Sequence, residues 1–465
     1  MARARANVLP PAAASDFPQR SVARWWLLAL LLAINAANFA DRTIVGALGQ
    51  AIKADLKISD FQLGLLNGFA FAVFYSVLGL PVARLAERFN RVRIIAIATG
   101  VWTVMAMLCG MAQSYVQLIL ARIGVGAGEA GFNPPVASLV GDYFPGGQRG
   151  LAMAIIGLGG AVGPVIGAWG GGLIAEAGGW RAAFIIIALP GLLLAPLAWF
   201  TLREPARGAA DGAIDTAPPP PVLTAMRELF AKRAFRFLIA GSALAGFTLN
   251  SFGQFMAPLF VRNFGLSLAE AGMYFGIISA ISFTGGLLLG GFGADWLGRR
   301  DRRWQFWAPA VALLLAVPCY ELGLFAQTAF ASAALLTAGS FFLLCYYAPA
   351  LASIQDLAPP RSRASAAFVA AFVSGMVGSG LGPAASGLLS DVFARAAFAG
   401  DFAASCPSGL PPTGAAAALE LACMQASADG VIHSLAVICL ALPCAALLFL
   451  LGGRSFPREL YRSAA

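Results

Sequence analysis

The chain is 465 residues long, 59% hydrophobic and only 11% charged, with a mean hydropathy of +0.78. No soluble globular domain can bury that much apolar surface, so composition makes this an integral membrane protein. The 31 lysines and arginines against 22 acids leave a net charge of +9, which in a membrane chain signals basic loops and not a nucleic-acid partner.

Residues 1–23 open with MARARANVLPPAAAS, which lacks the apolar core of a signal peptide and reads as a cytoplasmic tail. Twelve apolar runs follow, each long enough for a ~30 Å hydrocarbon layer. They lie near 24–50, 61–83, 93–112, 116–141, 149–175, 181–202, 235–260, 267–293, 305–325, 329–354, 364–390 and 430–452. With this register, 24 lysines and arginines fall in the tails and even-to-odd loops, five on the other side and two within spans. The positive-inside rule then predicts both termini in the cytoplasm. Between spans six and seven, EPARGAADGAIDTAPPPP (204–221) reads as a linker. The predicted fold is an all-α membrane protein of twelve transmembrane helices. It has six-helix bundles at 24–202 and 234–452, a linker at 203–233 and a C-terminal tail at 453–465.

The two halves repeat. ARLAERFNRV (83–92) returns as GFGADWLGRR (291–300), DYFPGGQR (142–149) as DLAPPRSR (356–363), and GLIAE (172–176) as GLLSD (387–391). Three matches in order, each after the corresponding helix, indicate a parallel repeat. The acids in these loops can pair with nearby arginines and approach a helix N-terminus. Glu87, Arg88, Arg91 and Asp142, with Asp295, Arg299, Arg300 and Asp356, are therefore predicted to form cytoplasmic latches; for most of the arginines, plain topology signalling is the alternative.

The seven cysteines show no metal-ligand spacing, and no metal site is expected. Cys406 and Cys423 share the longest loop of the second half; outside the membrane they can form a disulfide. His433, the only histidine, is expected to pack or hydrogen-bond within span twelve.

NFADRTIVG (38–46) places Asp41 and Arg42 where lipid should be. One charge at the bilayer centre costs about 2.5–3.5 kcal/mol, so partners are expected. Counting helical rise brings Asp41 and Arg122 of span four to similar depth, with Glu129 two turns beyond Arg122 on the same face. Arg42 points about 100° away from Asp41 and is read as a second charge reaching the outer interface. Asp41 and Glu129 would then compete for Arg122, leaving one carboxyl free to take a proton. The alternative is a static Asp41–Arg122 pair that ties spans one and four.

Span seven carries GFTLNSFGQFMAP (246–258) and span ten FFLLCYYAP (341–349), neither with a charge. The predicted cavity is thus asymmetric, with Asn38, Phe71, Tyr75 and Asn133 on the charged side. Asn250, Gln254, Phe342, Tyr346 and Tyr347 stand on the other, unless the aromatics only pack. Such a cavity suits an amphiphile with one polar head and a long tail.

These motifs resemble the major facilitator superfamily. Its Gly-x-x-x-Asp-Arg-x-Gly-Arg-Arg loop is matched at 291–300 apart from Trp296, and less well at 83–92, which has Ala83, Glu87 and Asn90. RIGVGAGEA (122–130) is similar to its span-four pattern, and GGAVGPVIG (159–167) to its antiporter Gly-Pro motif. Glycine permits close helix approach and proline a bend, so Gly163 and Pro164, echoed by Gly382 and Pro383, are expected helix bends.

More narrowly, NFADRTIVG (38–46), SDFQLGLLNGFAF (59–71), LPVARLAERFNR (80–91) and ARIGVGAGEAG (121–131) resemble the Spinster family. That resemblance implies a monomeric, cofactor-free carrier in a bacterial inner membrane. It would move a lysophospholipid or sphingoid phosphate with protons on Asp41 and Glu129, tuned by Arg122. Two alternatives of the same superfamily are an organic-anion/proton symporter and a drug/proton antiporter. A lipid enzyme lacks the clustered nucleophile, base or metal ligands it would need; a lipid-binding scaffold is a further alternative.

Overall fold

The computed structural model describes residues 21–205, 222–359, 362–409, 411 and 414–461. The predicted tail up to residue 20 and linker residues 206–221 lie outside them. The described chain is helical, with no strand among these residues.

In chain order, α1 (Ser21–Ala47) leads through α2 (Gly49–Leu56) into α3 (Asp60–Asn67) and α4 (Phe69–Arg88). Next come α5 (Arg91–Met111), α6 (Tyr115–Glu129), α7 (Asn133–Tyr143), α8 (Gly146–Gly157), α9 (Gly159–Pro164) and α10 (Gly171–Thr201). After the linker follow α11 (Val222–Ala231), α12 (Arg233–Phe264), α13 (Leu268–Ile281), α14 (Leu287–Gly298), α15 (Trp304–Leu324) and α16 (Ala329–Leu344). The chain finishes with α17 (Tyr347–Leu357), α18 (Arg363–Ser374), α19 (Gly382–Ala397), the short α20 (Phe402–Ser405), α21 (Ala417–Cys439) and α22 (Ala441–Glu459). Two details depart from the sequence reading. A helix, α11, occupies part of the predicted linker, and α22 runs seven residues into the predicted C-terminal tail.

Nine helical stretches among the described residues are long and apolar enough to cross a membrane. One of them, Gly147–Thr201, is 55 residues long, roughly 80 Å at helical rise and too long for one crossing. The chain turns back inside it. Gly159 lies against Asn35 and Gly171 against Ile44, whereas Thr201 returns to accept a hydrogen bond from Trp26 near the start of α1. The turn falls at Gly179, whose φ of 81° favours glycine. Side chains such as Phe200, Phe292 and Phe330 are 74–81% exposed, a surface that lipid and not water would cover.

Local sequence sets the helix ends, and it does so twice over. Ser59 and Gln62 form a reciprocal capping box at α3; Ser267 and Glu270 form another at α13, 208 residues later. Ser114 caps α6 through the Gln117 amide, and Thr328 caps α16 through Ala331, 214 residues later. These offsets match the loop repeats and extend them to the opposite helix ends.

Among the described residues, three π-helical segments interrupt the long helices: Val165–Gly170, Ser282–Gly286 and Gly375–Leu381. The first directly follows Pro164 and the last directly precedes Gly382 and Pro383, so both expected bend sites adjoin irregular turns. Gly163 gives close approach: a Cβ there would fall 2.5 Å from that of Phe39. Helices within 21–205 pack chiefly on one another, as do those within 222–461. The two sets meet where α3 and α4 face α19 and Gly375–Leu381, and where Val165–Gly170 faces α13.

Candidate functional site

Close packing of α6 against α4 and α5 brings the interior charges together. A Cβ on Gly126 would lie 2.6 Å from the Phe71 carbonyl oxygen, and one on Gly128 2.7 Å from the Trp102 nitrogen. The glycines of RIGVGAGEA therefore serve approach, and the approach sets α6's Arg122 and Glu129 against α1.

The outcome is two ion pairs. Arg122 Nη1 donates to Asp41 Oδ2 at 2.7 Å, and Arg42 Nε donates to Glu129 Oε2 at 2.6 Å. The second pair corrects the sequence reading. Arg42 does not reach the outer interface, and Glu129 does not compete with Asp41 for a single arginine. A long guanidinium arm beside Asp41 reaches the carboxylate that stands two turns along α6. Asn67 links the pairs: its Oδ1 accepts from Arg122 Nη2 at 3.1 Å and its Nδ2 donates to the Arg42 carbonyl oxygen at 3.3 Å. Neither Asn67 nor this link was foreseen, although it lies in the quoted stretch 59–71.

Burial differs sharply among the four. Glu129 and Arg122 are fully buried and the Asp41 side chain nearly so, but the Arg42 side chain is 26% exposed. Phe39, Phe71 and Tyr75 surround the Arg42 guanidinium with ring centroids at 5.6, 4.9 and 4.8 Å. Several buried polar atoms here lack a hydrogen-bond partner among the described residues: Arg42 Nη2, Arg122 Nε, Glu129 Oε1 and Asn38 Nδ2. Unpaired buried polar atoms are costly, and four of them gather here.

Arg42 lines a cavity of about 210 Å³ between the two sets of helices. Phe39, Asn67 and Pro164 line it from one side, and Asn250, Phe283 and Pro383 from the other. Of the nine residues predicted for the cavity, Asn250 lines this one, held by the Gly246 carbonyl and Ser379. Phe71 and Tyr75 stand behind Arg42, and Tyr75 accepts from Asn133 at 2.8 Å. Gln254 does not line it and is buried with both polar atoms unpaired. Tyr346 is buried against Phe449, Tyr347 is exposed, and Phe342 packs edge-on to Phe341.

Of the predicted latch residues, Arg91 and Asp142 form an ion pair, and Glu204, which was missed, joins Arg91 at 2.6 Å. Glu87 and Arg88 are exposed without an ion pair among the described residues. In the second half Asp295 accepts from Gln305, Arg300 lies over Trp296, and neither Arg299 nor Asp356 joins an ion pair among these residues. Cys406 and Cys423 form a disulfide. His433 packs between Phe325 and Phe393, as a packing role requires.

Long apolar helices, an interface cavity and buried charges beside it define a membrane transporter. The chain matches the Major Facilitator Superfamily over residues 30–383 and belongs to that family. It resembles the crystal structure of a bacterial homolog of the human lysosomal transporter Spinster, in an inward-facing, unoccupied conformation. That likeness has a TM-score of 0.84 at 30% identity, covering 96% of this chain and 100% of the other. It is 33% identical to an MFS-type efflux pump of Mycolicibacterium smegmatis over 79% of this chain and 84% of the pump. It is 24% identical to the sphingosine-1-phosphate transporter of Danio rerio over 77% of this chain and 74% of that protein.

Proposed function

We propose that this transporter is a monomeric, proton-coupled carrier of a lysophospholipid or sphingoid phosphate, working by alternating access. Its twelve crossings form two bundles, at 24–202 and 234–452, with the basic loops and both termini in the cytoplasm of a bacterial inner membrane. The count joins the nine apolar stretches, the second crossing within Gly147–Thr201, and two less apolar ones, α6–α7 and α12. The Cys406–Cys423 disulfide supports placing its loop outside.

The observation that carries the reading is Glu129: fully buried, one oxygen unpaired, and held by an arginine that itself faces the cavity. An anionic head entering the cavity meets Arg42, which lines it. Whatever draws Arg42 away leaves Glu129 buried without a counter-charge, and a proton then replaces the lost partner. Asp41 and Arg122 couple to this exchange through Asn67. A cavity of about 210 Å³ is below the ~300–1,000 Å³ of whole-ligand pockets, so it suits the head while the tail extends along the interface.

Proteoliposomes test the coupling. Glu129→Gln is expected to abolish pH-gradient-driven accumulation while substrate counterflow continues; full gradient-driven transport by the variant would overturn the assignment. Similarity to an efflux pump favours a second reading, drug/proton antiport. A thermal-shift screen separates the two: stabilisation by lysolipids or sphingoid phosphates supports the first reading, and stabilisation by lipophilic cations alone supports the second.

A further inference from the structure

A second buried charge cluster lies at the start of α3, two turns before Asn67, and the transport site does not use it. Asp60 opens α3 with a side chain only 2% exposed. Its Oδ1 accepts from Lys53 Nζ and Arg262 Nη2, and its Oδ2 from Arg262 Nη1 and Ser390 Oγ, each at 2.7 Å. Arg262 Nε donates to Gln50 at 2.8 Å. Asp391 accepts from the backbone amides of Asp60 and Phe61, both at 3.0 Å, so an acid of α19 caps the start of α3. Among the described residues, Asp60–Arg262 is the ion pair that joins 21–205 to 222–461. Among the described residues the opposite face shows none: Arg91, Asp142 and Glu204 all belong to the first half.

The backbones are equally close here. A Cβ on Gly64 would sit 2.2 Å from the Pro383 carbonyl oxygen, and one on Gly387 2.1 Å from that of Asp60. Pro383 and Asn67 line the cavity, so this contact closes its end. Over Lys53 lies Gly409, next to the disulfide; a Cβ there would be 3.1 Å from Nζ.

We propose that Asp60 is the positioning residue of an outer gate whose charges are arranged so that the gate can open without stranding any of them. Lys53 and Asp60 belong to the first half, Arg262 and Asp391 to the second. When the halves part, Asp60 keeps Lys53 and Arg262 has Asp391 on its own half. Each half carries away one cation and one acid. A lone Asp60–Arg262 pair would be a permanent staple, because parting would leave an uncompensated carboxylate. Lys53 makes the tie reversible. This assignment rests on the proposed alternating access, but on neither the lipid nor the proton.

Removing the two cations should therefore have opposite effects. Arg262→Gln cuts the tie between halves and favours the open outer face; Lys53→Met leaves Asp60 dependent on Arg262 and favours the closed one. The experiment is double electron–electron resonance on the full chain, without substrate or pH gradient. Labels are carried at the exposed Ala54 and Ala417 on non-cysteine handles. Arg262→Gln is expected to raise the ratio of long to short distances about tenfold and Lys53→Met to lower it. Both single variants moving the ratio the same way, or neither moving it in protein that melts cooperatively, would overturn the proposal. Should Lys53→Met fail to fold, an unmoved ratio in Arg262→Gln overturns it alone. Altered substrate preference or lost coupling would bear on the transport reading and leave these distances as they are.

Discussion

The two buried charge clusters follow opposite rules. Asp41, Arg42, Arg122 and Glu129 all belong to one half and include unpaired polar atoms beside a cavity. Lys53, Asp60 and Arg262 bridge the halves, and both Asp60 oxygens are saturated by donors at 2.7 Å. Burial is common to both, so burial alone separates nothing. Completeness does: a saturated cluster leaves no room for a ligand or a proton, whereas an incomplete one keeps it.

The contrast can be broken by mutation, beginning where the effect is largest. Arg122→Met strands the Asp41 carboxylate and is expected to cost about 3–5 kcal/mol, seen as a lower thermal midpoint. Adding Asp41→Asn should recover much of that loss; no recovery would mean that Arg122 acts through packing instead. Next comes Gly64→Val, which drives a side chain into the Pro383 backbone at the closed face. Overpacking of this kind costs about 1–3 kcal/mol, and it should open the outer face as well, which midpoint and distance measurements together report. Smallest are Ser59→Ala and Ser267→Ala, each removing one capping box for about 1 kcal/mol. The two losses should be nearly equal, but Ser59→Ala alone should disturb the gate, because Asp60 follows it directly.

Particular residues show how far the sequence could be read. Asp41 and Arg122 were brought together by counting helical rise from the loops, since depth in a bilayer is almost one-dimensional. Arg42 was misdirected because azimuth along α1 ignores the reach of a guanidinium arm toward a helix that packs this closely. The gate was half visible. Only five basic residues stand on the sparse face, and Lys53 and Arg262 are two of them; SDFQ also spells a capping box just where Asp60 sits. What no local pattern contains is the register that brings residue 60 to residues 262 and 390. The two sets of helices fix that register by docking, through glycines whose role appears only at contact. The latch residues illustrate the converse. Arg91 pairs with Asp142, while among the described residues Arg299 and Arg300 of the second copy, at 291–300, join no ion pair and Arg300 lies over Trp296.

The most direct test of the central claim, that Glu129 is a buried group that exchanges an arginine for a proton, is an infrared difference spectrum of the full chain between alkaline and acidic buffer. The account predicts a protonated-carboxyl band that appears on acidification, disappears in Glu129→Gln and grows in Arg42→Gln. A band that is unchanged in Glu129→Gln would contradict it.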